Sequence, residues 1–152
     1  MANEAALPRF AAVGAGRMGR GIAIAFAYAG HRISLIDLRP RGAEAWQRLL
    51  DEAKAEIEAS LSGLAQLGVI DAAQIERIAA RVDFVDAAAA PRALAAAELV
   101  FEGVPETIEA KREAFEHINR HCRDDAILTN AASCVTRMLL VVEARMASSR
   151  QW

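Results

Sequence analysis

The chain has 152 residues, of which 54% are hydrophobic and 25% are charged, and its formal net charge at pH 7 is −2. This length suits one globular domain, and the charge balance lacks the basic excess by which proteins bind nucleic acid or anionic membranes. The first nine residues lack the pattern of a secretory signal and no apolar run is long enough to span a membrane, so we expect a cytoplasmic protein.

The first predicted element is a strand that runs into a glycine-rich turn. The apolar residues 10–13 are followed by GAGRMG, residues 14–19, and a helix-forming segment over 18–29 begins at once. In this context the first glycine allows a tight turn, the second leaves room for a pyrophosphate, and the third lets the helix pack closely on the sheet. The first helical turn offers its N–H groups to a phosphate. The predicted cofactor-binding residues of this turn are Gly14, Ala15, Gly16, Arg17, Met18 and Gly19.

An acidic residue stands at the end of the second predicted strand, residues 32–36. Asp37 lies 18 residues beyond Gly19, near the position from which a carboxylate accepts hydrogen bonds from an adenosine ribose. Its charge would repel a 2′-phosphate, which favours NAD over NADP as the cofactor, whereas Arg39 and Arg41 are of the type that accommodates NADP. A turn that binds no ligand is the alternative, and the combination of strand, turn, helix and acid disfavours it.

A helical hairpin is predicted between the second and third strands. Between Gly42 and Leu67 the apolar residues recur at steps of three and four, which is typical of a helix with one buried face. Gly68 ends this helix, and Asp71 with Gln74 has the spacing of a capping box for a second, short helix. The hairpin is longer than a nucleotide-binding fold requires, and it serves either a substrate or simple packing.

The rest of the chain alternates between short strands and helices. This alternation predicts an α/β fold, namely a Rossmann-type doubly wound parallel sheet with a helical hairpin inserted after the second strand, in a single domain over residues 1–152. The later strands are predicted over 82–85, 99–101 and 126–129, and the helices between them over 87–97 and 107–122.

One lysine interrupts the predicted inward face of the helix over 107–122. That face consists of Ile108, Lys111, Phe115, Ile118 and Cys122. A cation at an otherwise apolar position either extends to water or meets an anion at the ligand-binding edge of the sheet. We favour the second, because Glu106 and Lys111 both follow the fourth strand closely.

The segments GAGRMGRGIA, VFEGVPETIEAKREAF and ILTNAASC, taken with Asp37, share a pattern with a known enzyme family. They resemble the NAD-binding domain of the 3-hydroxyacyl-CoA dehydrogenases, over residues 10 to 134. The resemblance implies a Rossmann-like domain followed by a helical domain that makes dimer contacts, and an enzyme that oxidises the 3-hydroxyl of an acyl-CoA to a ketone and passes hydride to NAD. It also implies that Glu106 and Lys111 approach the nicotinamide half of the cofactor. By the same resemblance, Ser133 is the catalytic serine that bonds the reacting oxygen.

The chain departs from that family at three places. The loop after the fifth strand reads Asn-Ala-Ala-Ser over residues 130–133, where the family commonly has Asn-Thr-Ser-Ser. In the hairpin, Ser60 could match a serine that binds CoA, but the lysine that accompanies it in relatives is missing. Residues 135–152 stop resembling the family and are expected to form an atypical tail, so the helical domain and the catalytic histidine with its glutamate are expected to be absent.

No other residue is an evident replacement for that histidine as the base that removes the hydroxyl proton. His31 precedes the second strand and so lies at the edge of the sheet away from ligands. His117 and His121 have helical i,i+4 spacing without a further metal-ligand cluster, which favours solvated surface residues over a metal site. Glu102 ends the fourth strand but has no evident orienting partner.

We therefore expect the NAD-binding domain of an oxidoreductase that acts on a 3-hydroxyacyl-CoA, and that binds NAD(H) but turns over poorly alone. One alternative is a relative that acts on a free hydroxy acid or sugar acid, as in the lambda-crystallin and gulonate dehydrogenase branch. Another is a non-catalytic nucleotide-binding or interaction module, in which an apolar patch at residues 138–142 lets the chain form a homo-oligomer. The expected partner is a small-molecule substrate, with no nucleic acid and no membrane. No metal site or disulfide framework is expected, because Cys122 and Cys134 lack CxxC spacing.

Overall fold

The fold is built on a parallel sheet whose central strand is the first in sequence. The computed structural model describes residues 9–130, in which five parallel strands lie in the order β3-β2-β1-β4-β5. The chain therefore leaves β1 to one side first and returns to its other side with β4, which is the type of switch point at which open α/β sheets bind ligands. The predicted Rossmann-type sheet is confirmed. The strands are β1 Phe10–Val13, β2 Ile33–Ile36, β3 Val82–Val85, β4 Leu99–Glu102 and β5 Ile127–Asn130.

Helices follow the strands as the hydrophobic periodicity predicts. Every helix predicted from spacing is present, with ends within three residues of the expected ones, and the hairpin between β2 and β3 is confirmed. Gly68 ends the long helix with a positive φ of 71°, a conformation that glycine adopts without strain. The helices are α1 Arg17–Tyr28, α2 Ala43–Gln66, α3 Ile75–Ala79, α4 Ala90–Ala96 and α5 Ile108–His121, with a 3₁₀ turn at Ala72–Gln74 before α3.

The sheet has a hydrophobic core on each face, because side chains of a strand alternate between its two sides. In β1, Ala11 and Val13 belong to the core under α4 and α5, whereas Ala12 belongs to the core under α1, α2 and α3. Ile57 and Leu61 of α2 pack in the second core, so the hairpin is part of the folded domain. No helix within residues 9–130 is both long and apolar enough to cross a membrane.

Two local predictions were wrong. Ile108 was placed on the inward face of α5 but is 57% exposed, because it is the first residue of the helix and precedes the part that packs on the sheet. Asn130 was placed in the loop after β5 but is its last residue, opposite Glu102 of β4. Ser133 and the tail at 135–152 lie outside the described residues, and so does the apolar patch at 138–142.

Candidate dinucleotide-binding cleft

A cleft of about 480 Å³ lies at the carboxyl ends of the central strands. It is bounded by the turn between β1 and α1, the loop after β2, and the loop between β4 and α5. Gly19 and Lys111, two of the nine residues predicted to bind the cofactor, are buried and do not line it. The other seven line the cleft, namely Gly14, Ala15, Gly16, Arg17, Met18, Asp37 and Glu106.

Two glycines of the turn are required by close packing. Gly14 has a φ of +105°, and a Cβ at this position would lie 2.8 Å from the carbonyl oxygen of Gly103. A Cβ on Gly19 would lie 1.9 Å from the carbonyl oxygen of Gly14, a distance that no real Cβ adopts. These glycines bring the β1–α1 turn, the start of α1 and the loop after β4 into backbone contact, which shapes the floor of the cleft.

Gly16 has the opposite surroundings. A Cβ built on it would meet no heavy atom of the described residues within 4 Å, so the space beside this residue is open to the cleft. Gly16 is also the N-cap of α1 and provides no side-chain hydrogen bond to the first N–H groups of the helix. An open helix N-terminus beside a residue without a side chain fits a diphosphate, since the N–H groups and the helix dipole both favour an anion.

Asp37 lies at the other end of the cleft and is already engaged by two arginines. Its side chain is 9% exposed, its Oδ1 accepts from the backbone N–H of Arg39 at 3.4 Å, and its Oδ2 forms an ion pair with Nε of Arg41. Both arginine side chains line the cleft as well. A ribose bound to Asp37 would therefore share this carboxylate with Arg41.

Lys111 is buried behind the cleft wall and contacts two carboxylates. Its Nζ lies 3.0 Å from Oε1 and 3.1 Å from Oε2 of Glu102, a residue that is fully buried, and 3.3 Å from Oε1 of Glu106. The backbone N–H of Val104 also donates to Glu102, at 2.7 Å. The expectation that Lys111 meets an anion at this edge agrees with the structure, and the protein itself supplies the anions. The expectation that Glu102 lacks an orienting partner was wrong, and a buried carboxylate held in this way is not accessible as a base.

The histidines lie apart from the cleft. His31 packs against Phe10, with ring centroids 5.0 Å apart, at the amino end of the sheet as expected. His117 and His121 are half-buried rather than fully solvated, with ring centroids 6.1 Å apart. Among the described residues, no group of three or more His, Cys, Asp or Glu side chains is arranged to hold a metal ion.

The structure adds one residue, Arg20, to the cleft that spacing did not indicate. Arg20 of α1 lines the cleft, donates from Nε to the carbonyl oxygen of Ala15 at 2.9 Å, and pairs with Glu56 of α2. In the sequence, Glu56 belongs to the polar side of a long helix. The sequence feature that could have indicated a role for Arg20 is its position directly after Gly19. Its partner Glu56 lies 36 residues further along the chain, so no local pattern joins the two.

Sequence comparisons relate this chain to a family of NAD-binding domains. Residues 9–148 match the 3-hydroxyacyl-CoA dehydrogenase, NAD binding domain family. The 3-hydroxyadipyl-CoA dehydrogenase of Escherichia coli is 33% identical over 135 residues, which are 89% of this chain and 26% of that protein. A lambda-crystallin homolog of Bos taurus is 35% identical over 127 residues, which are 82% of this chain and 36% of that protein.

A solved structure shares the fold. The crystal structure of 3-hydroxybutyryl-CoA dehydrogenase from Escherichia coli is 33% identical to this chain and superposes with a TM-score of 0.68, over 84% of this chain and 25% of that one. The chain thus spans between 25% and 36% of the length of these relatives.

Proposed function

Because the chain belongs to the family of NAD-binding domains of 3-hydroxyacyl-CoA dehydrogenases, we propose that it binds NAD(H) in the cleft described above. The β1–α1 turn binds the diphosphate, Asp37 binds the adenosine ribose, and Glu106, held by Lys111, lies toward the nicotinamide half. The observation that carries this assignment is the open space beside Gly16 at the uncapped N-terminus of α1, in the same cleft as Asp37. The arrangement offers backbone N–H groups to phosphate and a carboxylate to ribose hydroxyls.

The reaction that we propose is oxidation of the 3-hydroxyl of a 3-hydroxyacyl-CoA to a ketone, in which hydride passes from C3 to NAD and the hydroxyl loses its proton. Bound NAD supplies the hydride acceptor, and the described residues of this chain bind and orient it. Relatives whose names specify 3-hydroxyadipyl-CoA and 3-hydroxybutyryl-CoA as substrates support this choice. Within this proposal Ser133 is the catalytic residue that bonds the reacting oxygen, in a cytoplasmic enzyme with a small-molecule substrate.

A free hydroxy acid or sugar acid is the second candidate substrate. The similarity to a lambda-crystallin homolog, at 35% identity over 127 residues, supports it. The hairpin also lacks the lysine expected for CoA phosphates. In this reading the NAD site is unchanged and only the substrate differs.

Substrate binding to the NAD-loaded chain separates the two candidates. We would titrate 3-hydroxybutyryl-CoA and, in parallel, a free hydroxy acid such as gulonate into the chain saturated with NAD, by calorimetry. The CoA proposal predicts that the thioester binds at least about tenfold more tightly, a difference of about 1.4 kcal/mol. Tighter binding of the free acid would reverse the choice of substrate and leave the cofactor assignment intact.

Self-association is a separate proposal. The homo-oligomer expected from the sequence involves residues 138–142, and light scattering over a dilution series measures it. A molecular mass that rises with concentration would support the proposal, and the mass of a monomer at every concentration would contradict it.

A further inference from the structure

Arg20 joins the phosphate-binding turn to the inserted hairpin. Its side chain is only 12% exposed and lies at the cleft wall, directly after the last glycine of the turn. Nε donates to the carbonyl oxygen of Ala15 at 2.9 Å, while Nη1 pairs with Oε2 of Glu56 on α2. One planar guanidinium thus contacts the turn and a helix of the insertion at the same time.

The contact with Ala15 sets the orientation of a whole peptide unit. Ala15 precedes the N-cap of α1, so its carbonyl is not one of the acceptors of the helical ladder. In a trans peptide the carbonyl of one residue and the N–H of the next point in opposite directions. Holding the Ala15 carbonyl toward Arg20 therefore holds the Gly16 N–H in the opposite direction, away from Arg20.

We propose that Arg20 is a positioning residue, which orients the Ala15–Gly16 peptide so that the turn presents N–H groups to the diphosphate. This inference rests on the proposed NAD(H) site. If the peptide rotated, the carbonyl oxygen of Ala15 could face the bound anion, and its partial negative charge would repel the phosphates. Arg20 thus acts through the turn and not through its charge alone.

Glu56 keeps the guanidinium of Arg20 directed at the carbonyl oxygen of Ala15. An unpaired guanidinium at the cleft wall would turn toward a bound diphosphate, because arginine forms bidentate hydrogen bonds with phosphate oxygens. The carboxylate of Glu56 holds the far side of the fork, so that Nε remains on the Ala15 carbonyl. A lysine at position 20 would keep the positive charge but could not reproduce two contacts from one rigid plane.

The test measures NADH and adenosine binding to the full 152-residue chain and to its variants. The variants are Arg20→Lys, Arg20→Gln and Glu56→Gln, and the matched control is Glu58→Gln, which changes an exposed glutamate of the same helix. We expect both Arg20 variants to weaken NADH binding by about tenfold, the usual scale of a lost charged hydrogen bond. Adenosine, which carries no phosphate, should bind all variants within about twofold of the wild type. Calorimetry suits NADH, and NMR shift titration suits the weaker adenosine.

Two outcomes would overturn the inference. Wild-type NADH affinity in Arg20→Lys would show that charge alone is responsible, and a parallel loss of adenosine binding would show general damage to the fold. Should the Arg20 variants fail to fold, Glu56→Gln, which retains Arg20, carries the test, with weaker NADH binding expected while Glu58→Gln matches the wild type. Absence of NADH binding by the wild type would refute the proposed function itself, which distinguishes that failure from a failure of the Arg20 inference.

Discussion

The ammonium group of Lys111 lies 3.0 and 3.1 Å from the two carboxylate oxygens of Glu102, in a pair that joins α5 to the end of β4. The side chain of Lys111 is 4% exposed and that of Glu102 is 0% exposed. Removing two charges from water is costly, and their attraction offsets this cost only while both partners are present. The loop between β4 and α5, which forms one wall of the cleft, therefore depends on an intact pair.

Replacing the lysine should destabilise the fold strongly. In Lys111→Met the buried carboxylate of Glu102 loses the ammonium group of Lys111, which costs roughly 3–5 kcal/mol of unfolding free energy. Urea unfolding followed by circular dichroism measures this loss. Arg112→Met, at an exposed neighbouring position, is the control and should change stability by less than about 0.5 kcal/mol. A loss below about 1 kcal/mol in Lys111→Met would contradict the account of the pair.

Replacing Asp37, which directly follows β2, should reduce the preference for NADH over NADPH. Asp37→Ala removes the proposed acceptor for ribose hydroxyls and leaves Arg39 and Arg41 in the cleft to attract a 2′-phosphate. We expect NADH affinity to fall by about tenfold and the preference for NADH over NADPH to shrink. Calorimetric titration of both cofactors measures this, with the exposed Asp124→Ala as control. An unchanged ratio of the two affinities would mean that Asp37 does not contact the ribose.

Alanine substitutions at Gly16 and Gly14 should differ in their effects on NADH binding and on the stability of the fold. Gly16→Ala places a methyl group in open space, so it should weaken NADH binding while costing at most about 1 kcal/mol of stability as a poorer N-cap. Gly14→Ala should cost about 2 kcal/mol or more, because φ is +105° and the Cβ meets Gly103. Thermal unfolding and NADH titration are measured on both variants.

Gly21→Ala is the matched control for these variants. Gly21 lies within α1, does not line the cleft, and has open space around it. It should gain up to about 1 kcal/mol of stability, since alanine is the better helix former, without a change in NADH affinity. Equal NADH affinity in Gly16→Ala and Gly21→Ala would place the diphosphate elsewhere.

Burial should protect the thiol of Cys122 from alkylation. Desolvation raises the pKa of this thiol from 9.0 to about 11, so only about one thiol in a thousand is the reactive thiolate at pH 8. Iodoacetamide labelling, resolved by peptide mass spectrometry, should be at least about tenfold slower in the folded chain than in urea. Equal rates would contradict the raised pKa of this half-buried thiol.

The raised pKa of Cys122 also makes the stability of the fold depend on pH. Because the neutral thiol is favoured in the folded state, the contribution of Cys122 to stability is fully present below its unfolded pKa near 9.0. It is lost as the pH rises through about 11. Comparing the wild type with Cys122→Ala at pH 8 and at pH 10.5 should show a smaller stability difference at the higher pH, and a difference that grows with pH would contradict this assignment.

The sheet and the turn could be predicted from the sequence because their signals are local. The glycines at 14, 16 and 19 are adjacent to the strand and helix that they connect. The strand that precedes Asp37 and the strand that ends at Glu102 are short and mostly apolar. Steric demands of this type act between near neighbours in the chain. The strand order follows from the usual connection of such units.

The side-chain pairs could not be predicted with equal success, because they depend on how elements pack. Arg20 and Glu56 meet only because α1 and α2 lie side by side, and helical periodicity alone placed Glu56 on a solvated face. For Lys111, the inward position in α5 predicted an anionic partner, but it did not identify Glu102, which lies nine residues earlier in the chain. Ile108 shows the limit of periodicity at a helix end, where the first turn has not yet reached the sheet.

Calorimetric titration of NADH and NADPH into the purified 152-residue chain tests the central claim most directly. The account predicts one NADH per chain, bound more tightly than NADPH, because the diphosphate lies on the backbone beside Gly16 and the ribose on Asp37. Absence of NADH binding, or tighter binding of NADPH, would contradict the assignment of this cleft.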